Sequence, residues 1–255
     1  MKVTAFIGSA RKKYTYNASE QFLKKLQSLG DIEYEIVRLS DYNLQTCKGC
    51  KLCTDRGEEF CPLKDDRDIL IEKMINSDGI IFSSPNYFFQ VSGLMKIFLD
   101  RIAFFGHRPN FFGKTWTSIL TQGIGGGGKI VKYLNFIGNV LGFNVVNGCC
   151  IRTLEPMTEK GQKKIDKIID KQSKKFYSKL IKQEYPRPSF FKLMMFRMSR
   201  TSIKIMLNEN YRDYTFYKEH GWFESNYYYP VRLGLLKKIA GRLFDMLAKS
   251  MARKR

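Results

Sequence analysis

The stretch that decides the fold is "GIIFSSPNYFFQVSGLMKIFLDR", which runs from Gly79 to Arg101. Its first part, Gly79–Pro85, is a mostly apolar run that ends in proline, as a fully buried β-strand does. In Val91–Phe105 the apolar residues recur at helical spacing. The residues between them carry amide and aromatic groups, at Asn86, Tyr87 and Phe88. The stretch therefore predicts a buried strand, a loop with ligand-binding groups, and a helix that returns along the sheet.

The same alternation of strand and helix patterns extends over the first 155 residues. Further strands are predicted at Val3–Ser9, Glu33–Ser40, Thr115–Gly123 and Asn144–Ile151. Helical patterns separate them, and one of these, Lys129–Gly142, ends in a glycine suited to a helix C-terminus. Strands that alternate with helices imply a parallel sheet with helices on both faces. We therefore expect an α/β fold with a five-stranded, doubly wound, flavodoxin-like parallel sheet of strand order 2-1-3-4-5.

Three loops should meet at the carboxyl ends of the strands, where open parallel sheets bind ligands. The first, Gly8–Thr15, offers hydroxyls, a guanidinium fork and a helix N-terminus, all of which suit a phosphate group. The second, around Asn86, combines amide and aromatic groups that suit a flat heteroaromatic ring. The third, Thr121–Lys129, contains four consecutive glycines, which allow a close approach of backbone N–H groups to a ligand. Each loop alone also fits an ordinary turn or a core contact, but together they predict one ligand site.

Taken in order, "GSARK", "SPNYF" followed by "GLMKIFLDR", and "TQGIGGGG" resemble the NADPH-dependent FMN reductase family over roughly residues 1–155. The resemblance implies that the first loop holds the FMN phosphate and that the other two loops flank the isoalloxazine ring. The first loop departs from the common pattern, because Ala10 and "KKYT" stand where proline and a "GNT" stretch are usual. The resemblance places FMN at Ser9, Arg11, Lys12, Thr15, Ser84, Pro85, Asn86, Tyr87, Phe88, Thr121, Gly123 and Gly125.

Four cysteines lie within fifteen positions, at Cys47, Cys50, Cys53 and Cys61. Their spacing, C-x2-C-x2-C-x7-C, allows three thiolates to grip one face of an iron–sulfur cubane while the fourth completes it. It resembles the compact motif of the iron–sulfur flavoproteins, a branch of the same superfamily that carries a [4Fe–4S] cluster beside FMN. Zinc is an alternative, although Cys₄ zinc sites usually come as two C-x2-C pairs. Thiols that bind no metal are the other alternative.

The positive charge of the chain, +20 in total, is concentrated toward its end. Residues 1–155 contain 20 basic and 15 acidic side chains, whereas residues 156–255 contain 24 and 9. A proline-marked stretch, "EYPRPSF", follows a basic helical pattern and is typical of a linker. We therefore predict an FMN-binding domain over residues 1–183 and a basic, aromatic, helical extension over residues 184–255. Because Phe190–Met206 interleaves apolar and basic residues, the extension either docks on a surface or caps the sheet or a partner subunit.

These patterns predict an FMN-dependent oxidoreductase that moves electrons from NAD(P)H or a reduced carrier such as ferredoxin to a small acceptor. A cluster in the cysteine segment would pass single electrons to or from FMN. No catalytic side chain is predicted, because the flavin carries the chemistry. His107 is a candidate for a substrate pocket or for a surface role. The alternative function is a flavodoxin-like binding module that docks through its basic tail on a membrane or polyanion.

Partners and compartment follow from the same reasoning. The resemblance implies a homodimer or homotetramer. Nucleic acid is not expected as a partner, because no recognition motif is present, whereas a membrane surface is compatible with the basic extension. The sequence shows neither an export signal nor an apolar run of membrane-spanning length, which predicts a cytoplasmic location.

Overall fold

The computed structural model describes residues 1–253. The last two residues of the predicted extension therefore lie outside the described residues. The strands are β1 (Lys2–Ile7), β2 (Glu33–Arg38), β3 (Gly79–Pro85), β4 (Thr115–Gln122), β5 (Asn144–Val145) and β6 (Cys149–Arg152). The helices are α1 (Tyr14–Gln27), α2 (Leu52–Asp55), α3 (Arg67–Ile75), α4 (Gly93–Arg101), α5 (Gly127–Val140), α6 (Glu159–Leu180), α7 (Phe190–Met206), α8 (Arg212–Glu219) and α9 (Leu235–Arg253).

The strands form one parallel sheet of order β2-β1-β3-β4-β5, which confirms the predicted doubly wound fold. All residues of β3 are buried, as its continuous apolar pattern requires for a central strand covered on both faces. The predicted fifth strand is interrupted, because β5 and β6 pair separately with β4. Between them, a side chain on Gly148 would collide with Ser118, so the backbone there approaches β4 too closely for an ordinary strand residue.

Helices cover both faces of this sheet. On one face, α1 and α6 pack Phe22 and Phe176 over Val3 and Ile81. On the other face, Phe98 of α4 contacts the aromatic rings of β1 and β3. The rings of Phe82 and Trp116 lie 4.3 Å apart between their centroids and extend this aromatic layer. The two layers hold the strand ends, and therefore the loops that follow them, in a fixed arrangement.

The helix after β3 is shorter than the predicted Val91–Phe105. Ser92 is its N-cap, and its Oγ accepts a hydrogen bond of 3.2 Å from the backbone N–H of Met95. The helix ends at Arg101, and the chain continues as a 3₁₀ turn over Ala103–Gly106. The cap therefore sets the start of the helix two residues later than the apolar spacing alone suggests.

The chain divides into two compact units. The first contains residues 1–48, 63–103 and 109–184, and therefore the whole sheet. The second contains residues 49–62, residues 104–108 and the chain from Tyr185 onward. Two short segments from the first part of the sequence thus belong to the same compact unit as the extension.

In the second unit, α7 and α9 pack against each other. Gly241 and Ala248 of α9 are buried, and Asp245 accepts hydrogen bonds of 2.7 Å from both Arg200 and Thr201. Both helices lie in the extension over residues 184–255 that was predicted to be helical. The helix α8 was not predicted, and its Tyr217 packs edge-on against Trp222. Within residues 1–253, no helix has the length and apolarity that crossing a membrane requires.

Candidate functional site

A polar cavity of about 270 Å³ lies at the carboxyl ends of β1, β3 and β4. All of its lining residues belong to the first unit. They are Ser9, Arg11, Lys13, Tyr14, Thr15, Pro85, Asn86, Tyr87, Thr121, Gln122, Gly123, Thr153 and Glu155. The three loops singled out in the sequence therefore contribute to one cavity.

The first loop presents cations and a helix N-terminus to this cavity. The helix α1 begins at Tyr14, and within the described chain no side chain caps its first turn. Its leading N–H groups are thus available to an anion, which the helix dipole also favours. Arg11 and Lys13 add positive charge beside them. The hydroxyl oxygens of Thr15 and Thr121 lie 2.7 Å apart and join the first loop to the third.

Asn86 connects the second and third loops. Its backbone N–H donates to the carbonyl of Thr121 over 2.7 Å, and its Nδ2 donates to the carbonyl of Gly125 over 3.0 Å. Its Oδ1 is buried and has no hydrogen-bond partner among residues 1–253. A buried acceptor without a partner costs free energy, so it marks a position where a ligand donor fits.

A strained turn follows Asn86. Tyr87 and Gln90 exchange two backbone hydrogen bonds, of 3.0 and 3.1 Å, across Phe88 and Phe89. Both phenylalanines have positive φ, 47° and 61°, which this kind of turn requires but which glycine or asparagine usually supplies. The ring of Phe89 packs where a side chain on Gly126 would lie, whereas Phe88 is 97% exposed.

Some of the residues predicted to bind FMN lie away from the cavity lining. Lys12 is exposed, with its Nζ 5.8 Å from the ring centroid of Tyr16. Ser84 is buried, and its Oγ accepts from the backbone N–H of Ser92. Phe88 points outward, and Gly125 contributes through its carbonyl bond to Asn86.

The cavity also contains residues that the sequence reasoning missed. They are Lys13, Tyr14, Gln122, Thr153 and Glu155. Thr153 and Glu155 follow β6, and the rule that ligands bind at carboxyl strand ends would have found them. Desolvation and the nearby Glu155 carboxylate raise the pKa of the Tyr14 phenol above its ordinary value. That phenol therefore stays neutral at physiological pH.

These features fit FMN. The uncapped N-terminus of α1 and the side chains of Arg11 and Lys13 suit its phosphate. The unpartnered Oδ1 of Asn86 suits an N–H or hydroxyl donor on the ring or ribityl chain. The cavity has a polar lining and lies where doubly wound sheets bind flavins.

The cysteine segment is divided between the two units. Cys47 belongs to the first unit, whereas Cys50, Cys53 and Cys61 belong to the second. Cys47 and Cys50 are exposed, and the other two are partly buried. Nowhere in residues 1–253 do three or more His, Cys, Asp or Glu side chains form a group that could hold a metal ion. The spacing and the donor chemistry suit a cluster, but the described structure presents no assembled ligand set.

Arg108 organises the part of this segment that belongs to the second unit. Its side chain is buried, pairs with Asp213, and donates to Glu58 over 2.9 Å. It also donates to the carbonyls of Cys53 and Thr54, over 2.6 and 3.3 Å. One guanidinium therefore holds the residues around Cys53 against α8.

A second cavity, of about 590 Å³, lies within the same unit. Lys51 and Asp55 line one side of it, and Ile203 and Met206 line another. His107 stands at this cavity, with its Nδ1 2.8 Å from the buried Asp213 carboxylate. The role of His107, in a substrate pocket or at the surface, stays a prediction.

A doubly wound sheet with a phosphate-compatible cavity at its switch point defines a flavodoxin-like, nucleotide-cofactor-binding protein. The chain belongs to the NADPH-dependent FMN reductase family, whose model matches residues 1–152. It is thus an oxidoreductase flavoprotein. The family resemblance seen in the sequence is confirmed.

Related proteins extend the match beyond the sheet. The chain is 32% identical over 235 residues to an iron–sulfur flavoprotein of Archaeoglobus fulgidus, which covers 87% of this chain and 100% of the relative. It is 31% identical over 182 residues to an iron–sulfur flavoprotein of Clostridioides difficile. This match covers 69% of this chain and 78% of the relative.

Solved structures show the same fold at low identity. RosB, with a bound 8-demethyl-8-formylriboflavin-5'-phosphate intermediate, gives a TM-score of 0.59 at 12% identity over 92% of each chain. An NAD(P)H:quinone oxidoreductase from Methanothermobacter marburgensis gives a TM-score of 0.53 at 15% identity. This match covers 68% of this chain and 97% of that one.

Proposed function

We propose that the chain binds FMN in the polar cavity and moves electrons from NAD(P)H or a reduced carrier, such as ferredoxin, to a small acceptor. The observation that carries this proposal is the cavity itself, with its cationic helix N-terminus and the unpartnered Oδ1 of Asn86. Bound FMN supplies the redox chemistry, since it can exchange hydride or single electrons. The protein supplies binding, orientation and exclusion of water.

Each loop has a separate task in this proposal. Arg11, Lys13 and the first turn of α1 neutralise the phosphate. The hydrogen bond of Asn86 to Gly125 fixes the second loop against the glycine-rich loop, so that the Oδ1 keeps one orientation. The pair of threonine hydroxyls, Thr15 and Thr121, holds the first and third loops together beneath the ligand.

Replacing Asn86 with alanine should weaken FMN binding by about 10-fold, the loss expected for one hydrogen bond to a buried acceptor. Apoprotein would be titrated with FMN, with flavin fluorescence as the readout. Asn17→Ala is the control, because Asn17 is exposed on α1 and does not line the cavity. If Asn86→Ala and the unmodified protein bind FMN with equal affinity, Asn86 does not contact the bound FMN. A colourless protein that also takes up no added FMN would refute the proposed function.

We further propose that the cysteine segment binds a [4Fe–4S] cluster through Cys47, Cys50, Cys53 and Cys61. The spacing and the names of the relatives from Archaeoglobus fulgidus and Clostridioides difficile support this. Against it stands the absence of an assembled ligand group in residues 1–253. No step of the proposed electron transfer depends on the cluster.

Protein purified without oxygen should contain about four irons and four acid-labile sulfides per chain. Cys50→Ser should lose most of the iron, since an exposed thiolate ligand is removed. Cys150→Ser is the control: Cys150 lies on β6, where burial raises the pKa of its thiol and disfavours ligation. Zinc without sulfide would support the tetrahedral alternative. A protein that contains neither iron nor zinc would be an FMN oxidoreductase whose cysteines bind no metal.

Self-association and a cytoplasmic location remain part of the proposal. The exposed ring of Phe88, in a turn with unfavourable φ, supports a contact with another subunit of a homodimer or homotetramer.

A further inference from the structure

The last described helix, α9, turns an apolar face away from its own unit. Its buried side, at Gly241 and Ala248, packs on α7. On the opposite side, Leu236 is 75% exposed and Met246 is 65% exposed. The exposed side chains of this face repeat at helical spacing and are Leu235, Leu236, Ile239, Leu243, Met246 and Leu247, whereas Met251, also exposed, lines the second cavity. Large side chains do not normally form such a continuous stripe in water, so the face requires an explanation.

Basic side chains border this apolar face. They are Lys238, Arg242, Lys249 and Arg253, whereas Lys237 lies toward α7, over the ring of Phe190. At 100° per residue, Lys238, Arg242 and Lys249 fall along one edge of the apolar stripe. They form a row that can meet negative charge while the leucines and methionines enter an apolar phase.

The acidic side chain of α9 does not weaken this charge. Asp245 turns toward α7, where it pairs with Arg197 and accepts hydrogen bonds from Arg200 and Thr201. Its negative charge is therefore neutralised by arginine side chains inside the unit. The outward surface of α9 combines exposed apolar groups with cations alone.

The start of α7 also exposes aromatic side chains, beside the flank of α9 that carries Lys237. Phe190 and Phe191 are half-exposed, and the Nζ of Lys237 lies 5.7 Å from the ring centroid of Phe190. Farther along α7, Leu193 and Phe196 are buried. The sequence pattern of Phe190–Met206 predicted either docking on a surface or a cap on the sheet or a partner subunit, and the exposed apolar face belongs mostly to α9.

We propose that α9 lies in the plane of a membrane surface that contains anionic phospholipids. The apolar stripe would enter the boundary between headgroups and acyl chains, and the cations would contact phosphate groups. Charge favours this occupant over a second copy of the chain, because pairing two such faces would bring rows of like charge together. Insertion in the plane is also the mode that fits a helix too polar to cross the bilayer.

Flotation of the full-length protein with vesicles tests the proposal independently of FMN. The unmodified protein should float with vesicles of phosphatidylcholine containing phosphatidylglycerol, and should remain behind with pure phosphatidylcholine. Leu243→Asp combined with Met246→Asp should reduce the floated fraction at least about 10-fold, because two charges would enter the apolar boundary. Both positions are more than half exposed, so the fold should persist, which circular dichroism would verify.

The matched control changes exposed apolar residues elsewhere. Ile69→Asp combined with Ile75→Asp, on α3 in the first unit, should leave flotation unchanged. The proposal is overturned if the unmodified protein does not float with anionic vesicles. It is equally overturned if the floated fraction of the α9 double variant equals that of the control variant. It is also overturned if sedimentation velocity shows that the α9 substitutions split a dimer while no vesicle binding exists, since the face would then join two copies.

Discussion

Arg108→Ala is expected to lower the free energy of unfolding of the second unit by about 3–5 kcal/mol. The guanidinium is almost fully buried and pairs with the carboxylate of Asp213, which is itself buried. Its removal would leave that negative charge without its main partner, and would also free the carbonyls of Cys53 and Thr54. A buried charge that loses its partner costs far more than a surface pair, because water cannot replace the lost interaction.

The measurement is hydrogen–deuterium exchange across residues 49–62, together with thermal unfolding. Amides near Cys53 should lose protection in Arg108→Ala, while those of the sheet keep theirs. Arg56→Ala is the matched control, since Arg56 is exposed in the same segment and its guanidinium lies over the ring of Phe60. Its effect should stay within about 0.5 kcal/mol. Unchanged protection of the segment in Arg108→Ala would show that other contacts hold the cysteine residues.

The sheet order was predictable because the apolar sequences of the central strands indicate that these strands are buried. Every residue of Gly79–Pro85 is covered on both faces, and only an apolar run with small polar residues satisfies that requirement. The interruption of the last strand was not predictable. It depends on the close approach of Gly148 to Ser118, a tertiary contact that no local pattern encodes.

The helix α8 was missed for a different reason. Its sequence, Arg212–Glu219, is polar and lacks an apolar stripe, so its stability depends on tertiary packing. Tyr217 is fully buried beneath Trp222, and Asp213 pairs with Arg108. These partners lie outside the helix itself, and Arg108 is more than a hundred residues earlier in the chain.

At the cavity, the sequence predicted which loops meet but not which side chains turn inward. Lys13 lines the cavity whereas Lys12 lies over Tyr16, a choice made by the direction of the backbone just before α1. The turn at Phe88 and Phe89 was also unpredictable. Two phenylalanines with positive φ contradict local preference, and strain of this kind is typical of functional sites.

Gly8→Ala is expected to destabilise the first unit by about 1–3 kcal/mol and to weaken FMN binding at least about 10-fold. A β-carbon at this position would lie 2.7 Å from Cβ of Met95 and 2.8 Å from Oγ of Ser92. Cβ of Met95 is fixed by the backbone of α4, and Oγ of Ser92 is held by its hydrogen bonds to Gly8 and Met95. Ser92 also donates its hydroxyl to the carbonyl of Gly8, so the added methyl group would push the start of α4 away from β1.

Chemical denaturation and FMN titration would measure the two effects separately. Gly93→Ala is the matched control, because a β-carbon there, at the start of α4, meets no described heavy atom within 4 Å. It should be neutral or slightly stabilising, since alanine restricts the unfolded chain more than glycine does. Because Gly8 directly precedes the loop of Ser9 and Arg11, a displaced β1 end moves the phosphate-binding groups as well as the core. If Gly8→Ala loses stability but keeps its FMN affinity, the loop adjusts independently of β1, and the cavity owes its shape to α1 and the third loop instead.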